Sequence, residues 1–304
     1  SSRRRHTRYP LVTGVQTCAL PISPVGGEVE HAHLIAELVN SPLNAHGRVG
    51  ARVVPFDHPA FQPMLDVLLP RAGQRLAYLM IPKPRHLADL CGASDAVDAT
   101  LAGCDFARPL PLHALVETHG ALRDVAAMAA HPRIESLSFG LMDFVSAHRG
   151  AIPQSAMTAS GQFEHPLVLR AKLEIAAACH ASGKVPSHCV VTEFKDKAAL
   201  QSAAETAARR LGYTRMWSIH PDQIRPILRA FSPPAQAIEQ AHRIIEAAQA
   251  QAWAPIAVDG VLHDRASYRY FWQVLRRAHR TSFSQGPQLP AEVRERFFAE
   301  TPAS

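Results

Sequence analysis

From about residue 28 onward, short apolar, β-rich runs alternate with longer amphipathic stretches, the pattern of strands feeding a parallel sheet through helical crossovers. The strand candidates are ARVV (51–54), LAYLMI (76–81), LHALV (112–116), ESLSFG (135–140), SHCVV (187–191) and RMWSI (215–219). Helical patterns fill the intervals at 29–39, 61–68, 85–102, 120–130, 165–182 and 196–211. In AALQSAAETAARRLG (198–212) alanines and leucines recur at helical spacing, and Gly212 stands where a C-cap glycine belongs. Six strands at nearly regular βα spacing suggest most of a (β/α)8 barrel, two strands short, rather than a doubly wound sheet. No GxGxxG or GxxxxGKS loop follows any strand, which removes the usual dinucleotide and P-loop readings.

The pattern changes after residue 230. FSPPAQAIEQAHRIIEAAQA and HDRASYRYFWQVLRRAHR are two further amphipathic helices linked by WAPIAVDGVL. They read as a C-terminal helical extension (231–280) on a partial barrel (24–230), with a tail at 281–304. The aromatic stripe Tyr268, Phe271, Trp272 and Leu275 must bury against the chain's own barrel or against a partner. The loop AIPQSAMTASGQFEHP (151–166) is too long for a mere connector and reads as a lid or a subunit contact.

Composition narrows the class. The 304 residues, 47% hydrophobic and 19% charged, can bury a large core. The net charge is +6, but residues 1–23 hold four arginines and no acid, so the remainder carries only +2 (6 − 4), and no nucleic-acid partner is expected. Five cysteines, at 18, 91, 104, 179 and 189, show neither CxxC nor metal-ligand spacing. An odd number argues against a disulfide framework and for a reducing, cytoplasmic setting. No stretch of 18 apolar residues occurs, so no membrane association is expected. The opening arginines Arg3, Arg4, Arg5 and Arg8 imitate a secretory signal, yet Thr13, Gly14, Gln16 and Thr17 interrupt its apolar part.

On a barrel the working face lies where strands end, because side chains there converge on the mouth. Glu117 directly follows LHALV and Asp143 comes three residues after ESLSFG. Each alone could cap a helix or sit against its dipole. Together, on adjacent strand ends, they suit a hard divalent cation that takes its remaining ligands from water and substrate, as Mg²⁺ does. Arg52 inside ARVV is costly unless it reaches a polar mouth or pairs with an anion, or unless the strand is an edge and the side chain is in solvent. Lys83 in MIPKP has the same ambiguity, since IPKP could be a simple turn. His220 precedes Pro221 and could be only a helix entry, and Asp264 in VLHDRASY could be an N-cap.

Five segments, VETHGALRDV, ESLSFGLMDF, MWSIHPDQI, FSPPAQAIEQAHRIIEAAQA and VDGVLHDRASYRYFWQVLRRA, occur in an order and spacing that resembles the citrate lyase β-subunit and malyl-CoA lyase family, the HpcH/HpaI aldolase group. ARVVP and LMIPKP look like that family's third and fourth barrel strands, and the likeness covers roughly residues 28–280. The resemblance implies a TIM (β/α)8 barrel of the phosphoenolpyruvate/pyruvate type with a C-terminal helical extension, and a Mg²⁺-dependent carbon–carbon lyase. By it, Glu117 and Asp143 would hold the metal, and Arg52 would bind the carboxylate or enolate oxygen of the keto acid. Asp264 would be an acid/base group delivered by a neighbouring subunit, with Lys83 and His220 ranked lower as substrate contacts. The substrate would be a hydroxy dicarboxylate or its CoA thioester, and the assembly a homo-oligomer, a trimer or hexamer. The same scaffold could instead run an acyl-CoA thioesterase, or bind an acyl-CoA or carrier without catalysis. No basic cluster marks a CoA phosphate site.

Two departures stand out. Where the family commonly has an asparagine two residues after the strand arginine, this chain has Val54, and where its seventh strand usually carries an aspartate this chain reads PSHCVVTEF with His188. The family also begins with two more strands, absent before PVGGEVEHAHLIAELVN; VTGVQTCALPI in their place resembles the conceptual translation of a short-read sequencing adapter. Residues 1–23 are therefore expected to be artefactual and outside the fold. The third and eighth strands would be left with open edges, and the chain as it stands would fold poorly and be inactive, unlike its parent.

Overall fold

A computed structural model of the chain describes residues 15–16, 18–19, 26–45, 47–104, 108–193, 195–281 and 289–298. Two short strands, β1 (Val15–Gln16) and β2 (Cys18–Ala19), precede six that carry the barrel: β3 (Gly50–Arg52), β4 (Leu79–Ile81), β5 (Leu112–Val116), β6 (Ile134–Phe139), β7 (Val185–His188) and β8 (Arg215–Trp217). The helices among and before them are α1 (Glu28–Asn40), α2 (Phe61–Ala72), α3 (Leu87–Ala102), α4 (His119–Arg123), α5 (Val125–Ala130), α6 (Leu141–Ser146), α7 (Pro166–Ala181) and α8 (Lys197–Arg209). The strands from β3 to β8 are parallel neighbours in chain order. That is the βα succession of a curled, TIM-like sheet.

β1 lies parallel to β8, pairing Val15 with Met216 and Gln16 with Trp217, while β2 lies parallel to β3, pairing Cys18 with Gly50 and Ala19 with Ala51. Gln16 and Cys18 are two residues apart and each strand pair is separated by one ladder spacing, so the two edges of the six-stranded sheet come within roughly 17 Å of each other. The sheet is curled nearly closed. This differs from the expectation of two bare edges with 1–23 outside the fold. An edge strand presents a row of unpaired N–H and C=O groups, and any extended backbone within reach can pair with them whatever its side chains. The rest of 1–23 lies outside the described residues.

Alternation along each strand sorts the core. Ala51, Leu79, Ile81, Leu112, Ala114 and Leu137 face outward into one large cluster with the helices. Tyr78, Met80, Leu115 and Trp217 meet inside the curl. A polar set fills its lower end: the His113 ring stacks on Tyr78 at 3.8 Å, and Glu135 accepts from His113 at 3.3 Å and faces Arg215 at 3.7 Å.

Several expected boundaries shift. The seventh strand is VPSH rather than SHCVV. The 120–130 pattern breaks at Asp124 into α4 and α5. Beyond the barrel, α9 (Ile224–Phe231) leads to α10 (Ala235–Ala250), and the supposed linker folds into a hairpin, β9 (Ile256–Val258) and β10 (Val261–His263). Its turn places Asp259 and Gly260 at φ 50° and 76°, the left-handed pair that a two-residue hairpin turn requires. The long α11 (Arg265–Thr281) follows, and α12 (Ala291–Phe298) occupies part of the expected tail. Tyr268, Phe271 and Leu275 bury against α10 and α12 in a cluster of their own, and Trp272 stacks on Phe298. The stripe is thus covered neither by the barrel nor by a partner. Cys91, Cys104, Cys179 and Cys189 are free thiols. Among the described residues no helix is long and apolar enough to cross a membrane.

Candidate active site

Glu117 is the first residue after β5, and the turn that follows is locked by its neighbours. Thr118 Oγ1 donates to the Pro84 carbonyl at 2.7 Å and accepts the Ala121 N–H at 3.1 Å as the N-cap of α4. The Glu117 side chain is buried, and its Oε1 accepts the backbone N–H of Lys83 at 3.0 Å. Lys83 holds φ +50°, a left-handed conformation unusual for a residue with a side chain. That strain turns its N–H toward Glu117 while its ammonium reaches Asp143 Oδ1 at 2.9 Å. One lysine thereby contacts both acids.

Asp143 sits in the first turn of α6, half exposed, where a carboxylate also suits the helix dipole. Gly140 makes room between the two: a Cβ there would stand 2.4 Å from Glu117 Oε2 and 2.5 Å from Glu117 Cβ. Burial first, and then the Asp143 charge, push the Glu117 carboxyl up to about 8, against the opposing pull of Lys83. The hydrogen bond to Asp143 raises the Lys83 ammonium above its ordinary value.

Arg52 ends β3 and lines, with Glu117 and Asp143, a cavity of about 160 Å³. Its other walls are apolar: Leu115, Phe139, Leu141, Met142, Val190, Trp217 and Ile219, with Cys189 beside them. Trp217 is buried, and its indole N–H has no hydrogen-bond partner among the described residues. The structure therefore brings together Arg52, Lys83, Glu117 and Asp143. It does not bring in His220, which caps the short turn Pro221–Gln223 by accepting the Asp222 N–H at 3.2 Å while its neighbour Ile219 lines the cavity. Nor does it bring in Asp264. That side chain is exposed at the start of α11, accepting the N–H groups of Ala266 at 2.8 Å and Ser267 at 3.3 Å. Gly140, Cys189 and Trp217 escaped the sequence reading. For Trp217 the signal was present, because period-two alternation from Arg215 through Trp217 to Ile219 marks one face of a strand.

A metal would find two hard oxygen donors here. Among the described residues no third His, Cys, Asp or Glu completes a cluster. The pair nevertheless fits a divalent cation, since two adjoining carboxylates already draw in one ammonium, and burial together with the Asp143 charge raises the Glu117 carboxyl in a way that a bound cation would reverse.

No family model matches the chain. A citrate lyase of known structure from Burkholderia xenovorans LB400 is 50% identical, with a TM-score of 0.79 over 86% of this chain and 82% of that one. The chain belongs to the HpcH/citrate lyase β family. The enzyme class that goes with this membership is a carbon–carbon lyase. The L-malyl-CoA/β-methylmalyl-CoA lyase of Cereibacter sphaeroides is 26% identical over 264 residues, 82% of this chain and 81% of the relative. The protein CitE of Mycobacterium tuberculosis, solved with magnesium, acetoacetate and coenzyme A, shares the fold at 22% identity and a TM-score of 0.60, over 76% of this chain and 78% of that one.

Proposed function

We propose that this family member is a Mg²⁺-dependent lyase cleaving a carbon–carbon bond of a hydroxy dicarboxylate or of its CoA thioester. The observation that carries the reading is the Glu117–Asp143 pair, set on adjacent strand ends and tied together by Lys83. Glu117 and Asp143 would hold the metal, which when bound withdraws electron density from substrate oxygens. Lys83 orients Glu117 through its backbone N–H and keeps the two acids from repelling each other apart. Arg52, in the same cavity, supplies a guanidinium for the substrate carboxylate or for the oxygen on which charge develops as the bond breaks. The apolar walls at Leu115, Met142 and Trp217 give the carbon skeleton of the substrate a surface to pack on beside these polar groups.

Asp264 is exposed on its own chain and does not line this cavity, so its proposed acid/base role requires a second copy and with it a homo-oligomer, trimeric or hexameric. Val54 leaves the Arg52 side of the site one polar contact poorer than the family pattern, which favours a substrate with less polar surface there. The test incubates the purified chain with Mg²⁺ and a panel of malyl-, citramalyl- and 3-hydroxyacyl-CoA, identifies all products by mass, and uses EDTA and Asp143→Ala as controls. Two carbon fragments appearing only with metal and Asp143 support the lyase. Free CoA with an intact acid would make the chain a thioesterase, and binding without turnover a non-catalytic barrel.

A further inference from the structure

The loop expected to be a lid or a subunit contact wedges spaced residues into the barrel wall and leaves most of those between them exposed. Ile152, Ala156, Ala159 and Gln162 are all buried, and the segment is fastened to the barrel wall by a polar cluster that the proposed chemistry does not use. Its centre is Lys172, on α7 and fully buried. The Lys172 Nζ donates to Gln162 Oε1 at 2.5 Å and to His188 Nε2 at 2.8 Å, and lies 4.0 Å from the centre of the Phe163 ring. Gln162 and Phe163 belong to the wedge, His188 to the end of β7.

The proton positions in this cluster follow from one another. Facing an amine that donates, His188 Nε2 must be the bare acceptor, so Nδ1 carries the hydrogen and donates to the Cys189 carbonyl at 3.1 Å. Burial, and then the Lys172 charge, hold the His188 pKa well below its ordinary value, so the ring is neutral. The Cys189 thiol donates to Gln162 Oε1 at 3.1 Å. Gln162 must present its oxygen rather than its NH₂, because two donors converge on it. Phe163 stacks flat on His188 at 5.4 Å and 4°. The links through Gln162, Phe163 and Cys189 pass through atoms that Lys172 touches or orients, while a separate one beyond the strand runs from the Ala159 N–H to Glu193 Oε1 at 2.7 Å; Cys189 is also a wall of the candidate active site.

We propose that Lys172 is a positioning residue: through Gln162 and His188 it locks the 151–166 segment onto the end of β7 and so holds the Cys189–Val190 wall of the substrate cavity in place. A buried amine serves here because it has several donors on one atom and can join two acceptors from different elements at once. The ionic end of the cavity, on β3 to β6, is not part of this lock. Loosening it should alter the fit of the substrate and leave metal binding intact.

The direct test reads the lock without activity. Cys189 and Cys179 are both buried, and trypsin separates them into the peptides 185–195 and 173–184, the latter becoming 171–184 in Lys172→Met, which loses that cleavage site. Methylthiolation of each is followed by peptide mass in the full chain, in Lys172→Met, in Gln162→Met and in Gln162→Glu. Cys189 should react at least tenfold faster in Lys172→Met and Gln162→Met with Cys179 unchanged, and at the unsubstituted rate in Gln162→Glu, which keeps the acceptor. If Lys172→Met does not fold, the two Gln162 variants decide alone. Unchanged Cys189 reactivity, or an equal rise at Cys179, would overturn the proposal. A kinetic arm rests on the lyase reading: KM should rise about tenfold in Gln162→Met with kcat within twofold and Mg²⁺ affinity unchanged, whereas a fall in kcat at constant KM would contradict it. Absence of turnover in the unsubstituted chain would count against the lyase and leave the thiol result standing.

Discussion

Two clusters of charge sit near the barrel mouth, and they are built in opposite ways. At the ends of β5 and β6, Glu117 and Asp143 share one lysine, and Glu117 is pushed up to about 8 by its burial first and then by the Asp143 charge, which the one lysine does not offset. At the end of β7, Lys172 is buried against an amide oxygen, an imidazole nitrogen and an aromatic face, with the Cys189 thiol beside it and no carboxylate among these partners. The first has an electrostatic deficit that a ligand can remove. In the second each acceptor is taken by a donor of the same cluster, and the Gln162 NH₂ is the one buried donor there without a partner among the described residues. Buried charge therefore marks a ligand site when its partners leave a like-charge repulsion standing, and marks architecture when neutral dipoles already satisfy it.

The sharpest way to break this contrast is to disturb the acid pair without touching its charges. Gly140→Ala places a methyl group where Glu117 Oε2 and Cβ now stand, so the carboxylate must move. Misplacement of a catalytic group by about 1 Å costs on the order of 100-fold in rate. Steady-state kinetics should show kcat down by about that factor, and the folded chain should retain its circular dichroism spectrum.

A smaller effect separates the clusters by pH. The Glu117 carboxyl titrates near 8 in the folded chain against an ordinary 4.5, so between those values the folded state holds a proton that the unfolded state has released. Without metal, this group's contribution to stability falls as pH rises across that window and is constant above it. A cation must displace the proton, so metal affinity should rise by up to about tenfold per pH unit below 8 and level off beyond it. Calorimetry in buffers of different ionisation enthalpy checks this, with close to one proton released per ion near pH 6.

The smallest effect is the control. Arg170 and Glu174 form an exposed i,i+4 pair at 2.7 Å on α7, a geometry worth about 0.3–0.5 kcal/mol. Arg170→Ala should lower Tm by no more than about 2 °C and leave both clusters as they are.

How far the sequence was readable follows the same division. The five buried residues of β5, bounded by Pro111 and Glu117, matched the expected LHALV, because a short, mostly apolar run between a proline and an acid has few other solutions. The neighbouring β7 slid by two residues: its ladder runs Val185–Ser187 against Ser136–Ser138, through Pro186, where a proline argues against an interior strand. α6 has six residues, fewer than two helical turns, so only its Asp143 was visible, as a residue after a strand. The β9–β10 hairpin carries the Asp-Gly turn signal but only three residues on each side, too few for alternation to show. Glu117, Asp143 and Arg52 were legible as polar residues at strand ends. The left-handed Lys83 and the gap at Gly140 that hold the acids together are backbone facts, and no residue pattern announces them. The Lys172 cluster was hidden for a further reason, since a lysine in a helical pattern reads as surface.

The central claim is that Glu117 and Asp143 together hold one divalent cation, and titration calorimetry with Mg²⁺ near pH 7.5 on the chain and on Asp143→Ala tests it most directly. One ion per chain, with binding lost in the variant while its melting transition is kept, is the expected result. Equal binding by both proteins would contradict the account and move the metal away from the ends of β5 and β6.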